Sequence, residues 1–418
     1  MRTSSLVRTT AAVVILAGGS AAARVTILRP RPSGLVIITL DTTRADRLPV
    51  YGFGGIATPA IDALASHGAV FDDAESVAPL TLPAHTSLFT GLYPANHGVR
   101  ENAGPALDRS HATLAAILHD RGFHTAAFVG SIVLHSDRGL SRGFDVYDDG
   151  SADGTPVPKR RPGNEVVDRA RAWIDHLDGA PFFLWVHLYD AHAPQTLPMN
   201  LRRAYGDRYE AGIAYADTQI GRVLDALERR RLLSNTVVVL AGDHGESLGE
   251  HGEKEHGIFL YQSTLRVPLV ICAPGTPARR VTAPTSLVDV FPSVLQLLGI
   301  ATHLPHDGIT LVPALTGGGL PTRAIYAESM YAAHFGWGPL RMIYDGEFKF
   351  INASRPELYD LARDPGEQQN VAGEHLATTS AMLRVLLGMN SNVLAQSNAA
   401  KLPPDRLQAL EALGYVGR

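Results

Sequence analysis

The sequence predicts an α/β fold in which helices cover both faces of a central, mostly parallel sheet. Five segments are almost continuously apolar and rich in β-branched residues: "GLVIITL" (34–40), "TAAFVG" (125–130), "PFFLWVHL" (181–188), "TVVVLAG" (236–242) and "VPLVIC" (267–272). Strands without polar alternation are typical of a parallel sheet that is buried on both faces. Helical patterns separate these segments, and strands alternating with helices are the signature of the α/β class.

The helices are predicted from apolar spacing, and the last part of the chain has a different pattern. Helical spacing covers residues 58–68, 113–122, 164–177 and roughly 207–232. Beyond about residue 320, short strand-like runs alternate with turn residues: "AIYAES", "LRMIYD", "EFKFI" and "ELYDL". This pattern predicts a small antiparallel sheet with a C-terminal helix. We therefore divide the chain into a large domain over 34–318 and a C-terminal subdomain over 319–418.

Composition sets further limits. The chain has 418 residues, of which 45% are hydrophobic and 19% are charged, and its formal net charge is −4. This length and composition suit a globular protein with a large core. The mild acidity gives no reason to expect a nucleic-acid partner. With one cysteine, Cys272, the chain forms no intrachain disulfide and has no thiolate metal site.

The N-terminal residues 1–23 form a separate segment. Two arginines precede a short apolar run that ends in Ala21, Ala22 and Ala23. A charged start, a short apolar stretch and small residues are typical of a secretory signal peptide, and the alternative is an uncleaved N-terminal anchor. Both alternatives predict export, to the periplasm or the medium, and only the anchor predicts contact with a membrane.

Polar residues follow two of the predicted strands. Asp41 follows the first strand, and Asp243 and His244 follow the strand over 236–242. Ligands in open α/β sheets bind beyond the carboxyl ends of the strands. One carboxylate and an Asp-His pair at that edge suit a single divalent metal with oxygen and nitrogen ligands. Asp41 by itself is better explained as a helix cap or turn residue, and the Asp-His-Gly sequence is the stronger signal.

Further candidates lie in two other loops. The strand over 181–188 leads into "HLYDAHAP", which holds His187, Asp190 and His192. His192 suits an acid or an oxyanion donor, although a structural role explains it equally well and explains His187 better. "GEHGEKEHG" holds Lys254 and His256. Such a charged run is usually a solvated loop, but two cationic donors beside a metal pair also suit an anionic substrate.

The segment "TLPAHTSLFTG" (81–91) contains the candidate nucleophile. We expect a helix here, with Thr81 just before it and Pro83 in its first turn. If the three strand-end residues hold a cation, a hydroxyl at this helix N-terminus becomes a fourth ligand. The metal and the helix dipole would then both favour its alkoxide form. Thr81 is therefore the predicted nucleophile.

Taken together, these motifs resemble the sulfatase branch of the alkaline phosphatase superfamily. The resemblance runs from about residue 34 to the C-terminus and rests on ordered blocks: "LDTTRADRL", "TPAIDALASHGAVFDDA", "TLPAHTSLFTGLYPANHGVREN", "DAHAP", "GDHGESLGEHGEKEHGIFLYQSTLRVPLVI" and "ELYDLARDPGEQQN". It implies an alkaline-phosphatase-like α/β sandwich with a small C-terminal antiparallel sheet and helix. It also implies hydrolysis or transfer at sulfate or phosphate centres.

The chain departs from the sulfatase signature at the position that matters most. Four signature positions match: Pro83, Leu88, Thr90 and Gly91. However, Thr81 replaces the Cys or Ser that sulfatases convert to formylglycine, and His85 replaces an Arg. The extra methyl group on its β-carbon prevents a threonine from becoming formylglycine. In sulfatases, the aldehyde hydrate lets the sulfated intermediate release sulfate without attack on sulfur, and a sulfated threonine lacks this route. Water activated by a metal can, however, attack the phosphorus of a phosphorylated threonine.

Other departures reduce the charge of the implied site. The Lys and His that hold the sulfate in the family correspond to Ser131 and Val133, and the second Asp of the usual pair is Thr42. Four positions do match substrate-side residues of the family and of its phosphonate monoester hydrolases: Asn102, His192, Lys254 and His256.

The sequence thus predicts a metal-dependent hydrolase that cleaves a phosphate diester or phosphonate ester. The resemblance assigns the metal shell to Asp41, Thr81, Asp243 and His244. It implies one divalent ion (Ca, Mn, Mg or Zn), because the spacing in "DAHAP" resembles that of one-metal sulfatases. The substrate would be a small-molecule, lipid or glycan anionic ester. Two alternatives stay open: a sulfatase that works without formylglycine, and a sulfatase-like binding protein without turnover.

Overall fold

The computed structural model describes residues 31–151, 160–193, 197–206, 208–389 and position 408. The predicted N-terminal segment 1–23 and most of the chain beyond residue 389 lie outside the described residues. Within the described part, no helix combines the length and apolar character needed to cross a bilayer. The division at residue 318 stays a prediction.

The strands form the two predicted sheets and a third sheet of two short strands. Their bounds are β1 Gly34–Leu40, β2 Ala69–Phe71, β3 Ala74–Glu75, β4 His124–Val129, β5 Val146–Asp148, β6 Phe182–Leu188, β7 Thr236–Gly242, β8 Leu269–Cys272, β9 Arg279–Val281, β10 Thr285–Ser286, β11 Ile325–Ser329, β12 Leu340–Tyr344, β13 Phe348–Asn352 and β14 Glu357–Asp360.

The eight-stranded main sheet has the order β5-β4-β6-β1-β7-β8-β2-β9. Neighbouring strands from β5 to β7 run parallel, as predicted. The segment over 267–272 differs from the expectation of a parallel strand, because β8 is antiparallel to both β7 and β2. An apolar strand that is buried on both faces has the same sequence pattern in either direction, so the pattern did not specify its direction.

The helices lie on both faces of this sheet and beside the small sheet. Their bounds are α1 Pro59–Ala65, α2 Thr81–Thr90, α3 Pro94–His97, α4 Leu114–His119, α5 Gly163–Asp175, α6 Met199–Tyr205, α7 Arg208–Arg229, α8 Gln262–Leu265, α9 Val290–Leu297, α10 Val312–Leu315 and α11 Leu376–Met389. The predicted α/β class is confirmed, since strands and helices alternate through the large domain.

Alternating residues of the central strands face two separate cores. Leu35 and Ile37 of β1 belong to a core that includes side chains of α2 and α9. Val36 and Ile38 point to the opposite face and belong to a core with α5 and α7. Because side chains alternate across a strand, every position of β1 is buried, which explains its unbroken apolar sequence.

The predicted C-terminal sheet is also present. Strands β11 to β14 form a four-stranded antiparallel sheet in chain order. Helix α11 packs on it through Met382 and Leu386, which share a core with Ile343 and Phe350.

Backbone hydrogen bonds fix the loops at the carboxyl edge of the main sheet. The amide of Asp41 donates to the carbonyl of Leu188 at 2.9 Å, and the amide of Asp243 donates to the carbonyl of Leu40 at 3.3 Å. These bonds hold the residues that follow β1, β6 and β7 side by side. The polar residues after these strands therefore converge, as the sequence predicts.

Candidate active site

The predicted metal ligands form one buried cluster. Ligand atoms of Asp41, Asp243 and His244 all lie within 4.8 Å of one another. The hydroxyl of Thr81 lies 3.4 Å from Asp41 Oδ2 and 3.2 Å from His244 Nε2. The four residues that the sequence assigned to a metal shell are therefore neighbours, although they come from three distant parts of the chain.

Thr81 occupies a different local position from the one expected. It is the first residue of α2 rather than a loop residue before it, and Leu80 is the N-cap. All ten residues of α2 are buried, and Thr81 itself is 0% exposed. A helix N-terminus carries partial positive charge from its free amide groups. This position therefore still favours negative charge at the Thr81 oxygen, as predicted.

In the described part of the chain, no cation compensates the two carboxylates of the cluster. Burial raises the pKa of both Asp41 and Asp243 well above the ordinary value, and repulsion from Glu246 and from Asp41, respectively, adds to the rise. Asp41 Oδ1 and Asp243 Oδ2 are buried and make no hydrogen bond with any residue that the structure describes. Buried charges in proteins are paired or bind metals. Two unpaired carboxylate oxygens facing a free histidine nitrogen therefore fit a divalent cation.

The hydrogen bonds of His244 leave one ring nitrogen available as a ligand. Its Nδ1 lies 2.9 Å from the carbonyl oxygen of Gly245, which only accepts, so Nδ1 carries the proton. Burial, helped by the nearby His256, lowers the pKa of His244 well below the usual value, which keeps the ring neutral. Nε2 therefore presents its lone pair toward Thr81 and Asp243, as in histidines whose second nitrogen is held by a backbone carbonyl.

A second group with metal-like spacing contains His85, His187 and Asp243. His85 Nδ1 lies 2.8 Å from the Thr81 carbonyl and therefore donates to it. His85 Nε2 then accepts from the Thr39 hydroxyl at 2.9 Å. Both nitrogens of His85 are thus used within the protein.

His187 is engaged in the same way. Its Nδ1 accepts a hydrogen bond from the Gly130 amide at 3.3 Å, so in the neutral ring the proton is on Nε2. That proton points to Asp41 Oδ2, 3.2 Å away. Burial lowers the pKa of His187 to about 3, which keeps the ring neutral. His85 and His187 therefore support Thr81 and Asp41, and the hydrogen bonds favour one metal position over two.

Thr42, which stands where the family has a second Asp, has an unusual backbone. Its φ is 51°, a left-handed conformation that is costly for a β-branched residue. Two hydrogen bonds hold it there: its amide donates to Asp243 Oδ1 at 3.1 Å, and its carbonyl accepts from the Tyr209 hydroxyl at 2.7 Å. The strained turn thus positions Asp243 through the backbone, without a second carboxylate.

Three substrate-side candidates lie around the cluster. Asn102 Oδ1 accepts from the Leu82 amide at 2.9 Å, which leaves its buried Nδ2 without a partner. The ring of His256 lies 4.4 Å from that of His244 and 5.1 Å from that of His192. His192 also stacks on Tyr189 at 4.4 Å. Asn102, His192 and His256 are therefore next to the metal cluster.

Lys254 is placed differently. It is exposed, and in the described part of the chain it makes no hydrogen bond or ion pair. Its predicted contact with the substrate stays a prediction. Two buried arginines are engaged elsewhere: Arg44 pairs with Asp46 and Glu250, and Arg100 pairs with Glu328.

Sequence reasoning missed Glu246 and the supporting roles of His85 and His187. Glu246 is 4% exposed, and its Oε1 lies 3.0 Å from His256 Nδ1. Its place in the same loop as His256 was a usable signal, because acidic residues commonly orient the histidines of metal sites. The other two roles depend on tertiary partners that the local sequence does not reveal.

Two sequence comparisons identify proteins that the chain is similar to. The profile of the Sulfatase family matches residues 34–300. The chain is 27% identical over 429 residues to choline-sulfatase of Rhizobium meliloti (strain 1021), covering 81% of this chain and 82% of that protein. It is 25% identical over 418 residues to the uncharacterized sulfatase YidJ of Escherichia coli (strain K12), covering 82% and 83%.

Solved structures show the same fold. The phosphonate monoester hydrolase of Agrobacterium radiobacter is similar with a TM-score of 0.74 and 24% identity, over 88% of this chain and 97% of that one. The structure of BT4656 with D-glucosamine-2-N,6-O-disulfate is similar with a TM-score of 0.75 and 21% identity, over 89% and 100% of the two chains.

Proposed function

The chain belongs to the sulfatase family of ester hydrolases, and from this premise we propose that it cleaves a phosphate diester or a phosphonate ester with Thr81 as the nucleophile. The observation that carries the proposal is the Thr81 hydroxyl, which lies at the N-terminus of α2 within 3.4 Å of both Asp41 and His244. A threonine in this place cannot provide the formylglycine on which sulfatases depend.

The reaction has two displacement steps. In the first, Thr81 Oγ1 attacks phosphorus, the bond to the leaving oxygen breaks, and that oxygen takes up a proton. In the second, water attacks the phosphothreonine, the bond from phosphorus to Oγ1 breaks, and Thr81 regains its proton. A second displacement at phosphorus needs no aldehyde, which is why a threonine suits phosphoryl transfer.

Named side chains have defined tasks in this scheme. A divalent metal held by Asp41, Asp243, His244 and Thr81 would lower the pKa of the attacking hydroxyl. Asn102 Nδ2, which has no partner in the protein, is a donor for an oxygen of the substrate. We assign further anion contacts to His192, His256 and Lys254. Because burial lowers the pKa of His192 to about 3 and that of His256 to about 4, both rings are neutral, and we assign the protonation of the leaving group to Lys254.

The charge of the site supports a substrate with one negative charge. Two carboxylates balance a divalent cation, and Ser131 and Val133 replace the family's Lys-His pair. A phosphate monoester carries close to two charges at neutral pH, whereas a diester or a phosphonate monoester carries one. We therefore expect a higher kcat/KM for diesters and phosphonate esters than for monoesters.

The test is a panel of four substrates, each with several metals: an aryl sulfate, a phosphate monoester, a phosphate diester and a phosphonate ester. Intact-mass analysis of the protein should find an unmodified Thr81. A phosphate monoester preferred by more than about tenfold, equal to about 1.4 kcal/mol, would contradict the charge argument. An aryl sulfate preferred by that factor would favour the second candidate, a sulfuric ester hydrolase, which the names of the sequence relatives support.

We also propose that the protein is exported. The support is the pattern of residues 1–23, a charged start followed by a short apolar run and three alanines. Expression of the full chain, with fractionation and mass analysis of the mature N-terminus, tests this and distinguishes cleavage from anchoring. Full-length protein confined to the cytoplasm would contradict export.

A further inference from the structure

We propose that Arg160 binds a free oxygen of the substrate's anionic group and supplies the positive charge that position 131 lacks. This inference rests on the proposed function, because it concerns the same site. Arg160 lies in none of the motifs that the sequence analysis singled out, and it comes to the site through tertiary pairing.

The backbone places Arg160 beside the metal cluster. Ser131 and Arg160 form an antiparallel β-bridge, and the amide of Arg161 donates to the Gly130 carbonyl at 2.8 Å. The Gly130 amide in turn donates to His187, which contacts Asp41. Directly opposed residues of an antiparallel pair project their side chains to the same side. Arg160 therefore shares a face with the residue that stands at the family's lysine position.

Two buried polar atoms on that face have no partner. Within the described residues, neither Arg160 Nη1 nor Ser131 Oγ makes a hydrogen bond. A buried donor without an acceptor costs about 1–3 kcal/mol, and more when the group is charged. Most buried donors in native proteins are hydrogen-bonded, and a guanidinium is well suited to an oxyanion.

The positive charge of Arg160 affects a histidine on the substrate side of the site. Its positive charge contributes, after burial and His256, to lowering the pKa of His192 to about 3. His192 stacks on Tyr189 and contacts the ring of His256. Arg160 thus acts on a residue that lies beside the metal cluster.

The neighbouring arginine shows what a structural role looks like. Arg161 Nη1 lies 2.8 Å from Asp148 Oδ1 and also donates to the carbonyls of Val129 and Asp148. Two consecutive arginines thus differ: Arg161 is held by the protein, and a buried nitrogen of Arg160 is not. One further positive charge matches one negative charge on the substrate, in agreement with the expected preference for a monoanionic ester.

The test compares Arg160→Ala and Arg160→Lys with Arg169→Ala, a control at an exposed arginine of α5. Arg160→Ala should lower kcat/KM for the preferred ester at least about tenfold, and Arg160→Lys should recover part of this loss because it restores a point charge. Arg169→Ala should stay within about twofold of wild type, in line with the small effects of exposed substitutions. If Arg160→Ala does not fold, Arg160→Met replaces it.

A second readout separates this inference from the proposed function. Calorimetric titration with inorganic phosphate should show at least about tenfold weaker binding in Arg160→Ala, a change that a merely structural arginine would not cause. Wild-type protein that cleaves no phosphoryl ester but loses phosphate binding in Arg160→Ala would contradict the proposed function and support Arg160. Unchanged phosphate affinity and kcat/KM in Arg160→Ala would overturn the assignment, and so would a wild type that binds no phosphate and cleaves no ester.

Discussion

The protein buries carboxylates in two places and compensates them differently. One place is the metal cluster, with Asp41 and Asp243. The other lies between the two-stranded sheet of β3 and β10 and the small C-terminal sheet, where Glu75 at the end of β3 and the nearby Glu367 meet Lys349 of β13. Glu75 and Lys349 are 0% exposed, and Lys349 Nζ lies 2.9 Å from Glu367 Oε1.

The cluster between the sheets carries its own cation. Lys349 offsets part of the cost of burying Glu75, whose pKa burial raises to about 7. Asp73 accepts a hydrogen bond from the Tyr344 hydroxyl at 2.7 Å. This charge group therefore joins the two sheets without any external ion.

The metal cluster has no such cation. In the described part of the chain, the basic groups within 4 Å of Asp41 and Asp243 are His85, His187 and His244. Burial lowers the pKa of each of these histidines, so they are neutral. Similar burial thus has a structural outcome where a lysine is present, and it creates a candidate cation site where a lysine is absent.

The largest expected effect is on turnover. Thr81→Ala should lower kcat/KM by at least about 10³-fold, because a covalent nucleophile is lost. Thr81→Ser keeps the hydroxyl and serves as the matched control, with substantial activity. Because Thr81 is fully buried in the first turn of α2, circular dichroism must confirm that Thr81→Ala is folded. Activity within about tenfold of wild type would contradict the nucleophile assignment.

The next largest expected effect is a loss of folding stability, and it distinguishes the cluster between the sheets from the metal cluster. Lys349→Met should destabilise the protein by about 3–5 kcal/mol, since it leaves buried carboxylates without their cation. The measurement is urea unfolding. The double variant Lys349→Met/Glu367→Gln should recover part of the loss. A change below about 1 kcal/mol would show that Lys349 contributes as little as an exposed pair.

The metal cluster should respond to metal instead. With free metal at about 100 times its Kd, metal binding should stabilise the folded wild type by about 2.7 kcal/mol, and a chelator should remove this stabilisation. Asp243→Asn and His244→Ala should lose the bound metal and the chelator response, whereas Lys349→Met should keep both. Elemental analysis gives the stoichiometry. Unchanged metal content in both cluster variants would place the cation elsewhere.

Local patterns predicted much of this molecule. The apolar segments gave β1, β4, β6 and β7, and the polar residues after them identified Asp41, Asp243 and His244. The direction of β8 was not predictable, because an apolar strand has the same pattern either way. The supporting roles were not predictable either, since the tautomer of His187 depends on the Gly130 amide.

The place of Arg160 was also beyond sequence reasoning. Its pairing with Ser131 is an isolated bridge between separate segments, and nothing in the local sequence distinguishes it from Arg161. Local periodicity reports burial and secondary structure, whereas partner identity depends on how distant segments meet. Sequence reasoning found the residues that directly follow parallel strands, because such residues lie side by side at the carboxyl edge of the sheet.

The smallest effect is a pH dependence that belongs to the cluster between the sheets. The folded-state pKa of Glu75 is raised from 4.5 to about 7, mainly by burial, with Lys349 lowering it and Asp73 and Glu367 acting on it as well. The folded protein therefore binds this proton more tightly than the unfolded chain. The stabilisation that this proton provides is complete below about pH 4.5 and is lost as the pH rises through about 7. One group changes the free energy of unfolding by at most about 1.4 kcal/mol per pH unit.

The variant Glu75→Gln cannot titrate at this position. Between pH 5 and pH 8, its free energy of unfolding should therefore fall less than that of wild type, by about 1–2 kcal/mol. Urea unfolding of both proteins across this range, in chelator to silence the metal cluster, isolates the contribution of Glu75. Parallel curves would mean that Glu75 keeps an ordinary pKa in the folded state and that Lys349 compensates it fully.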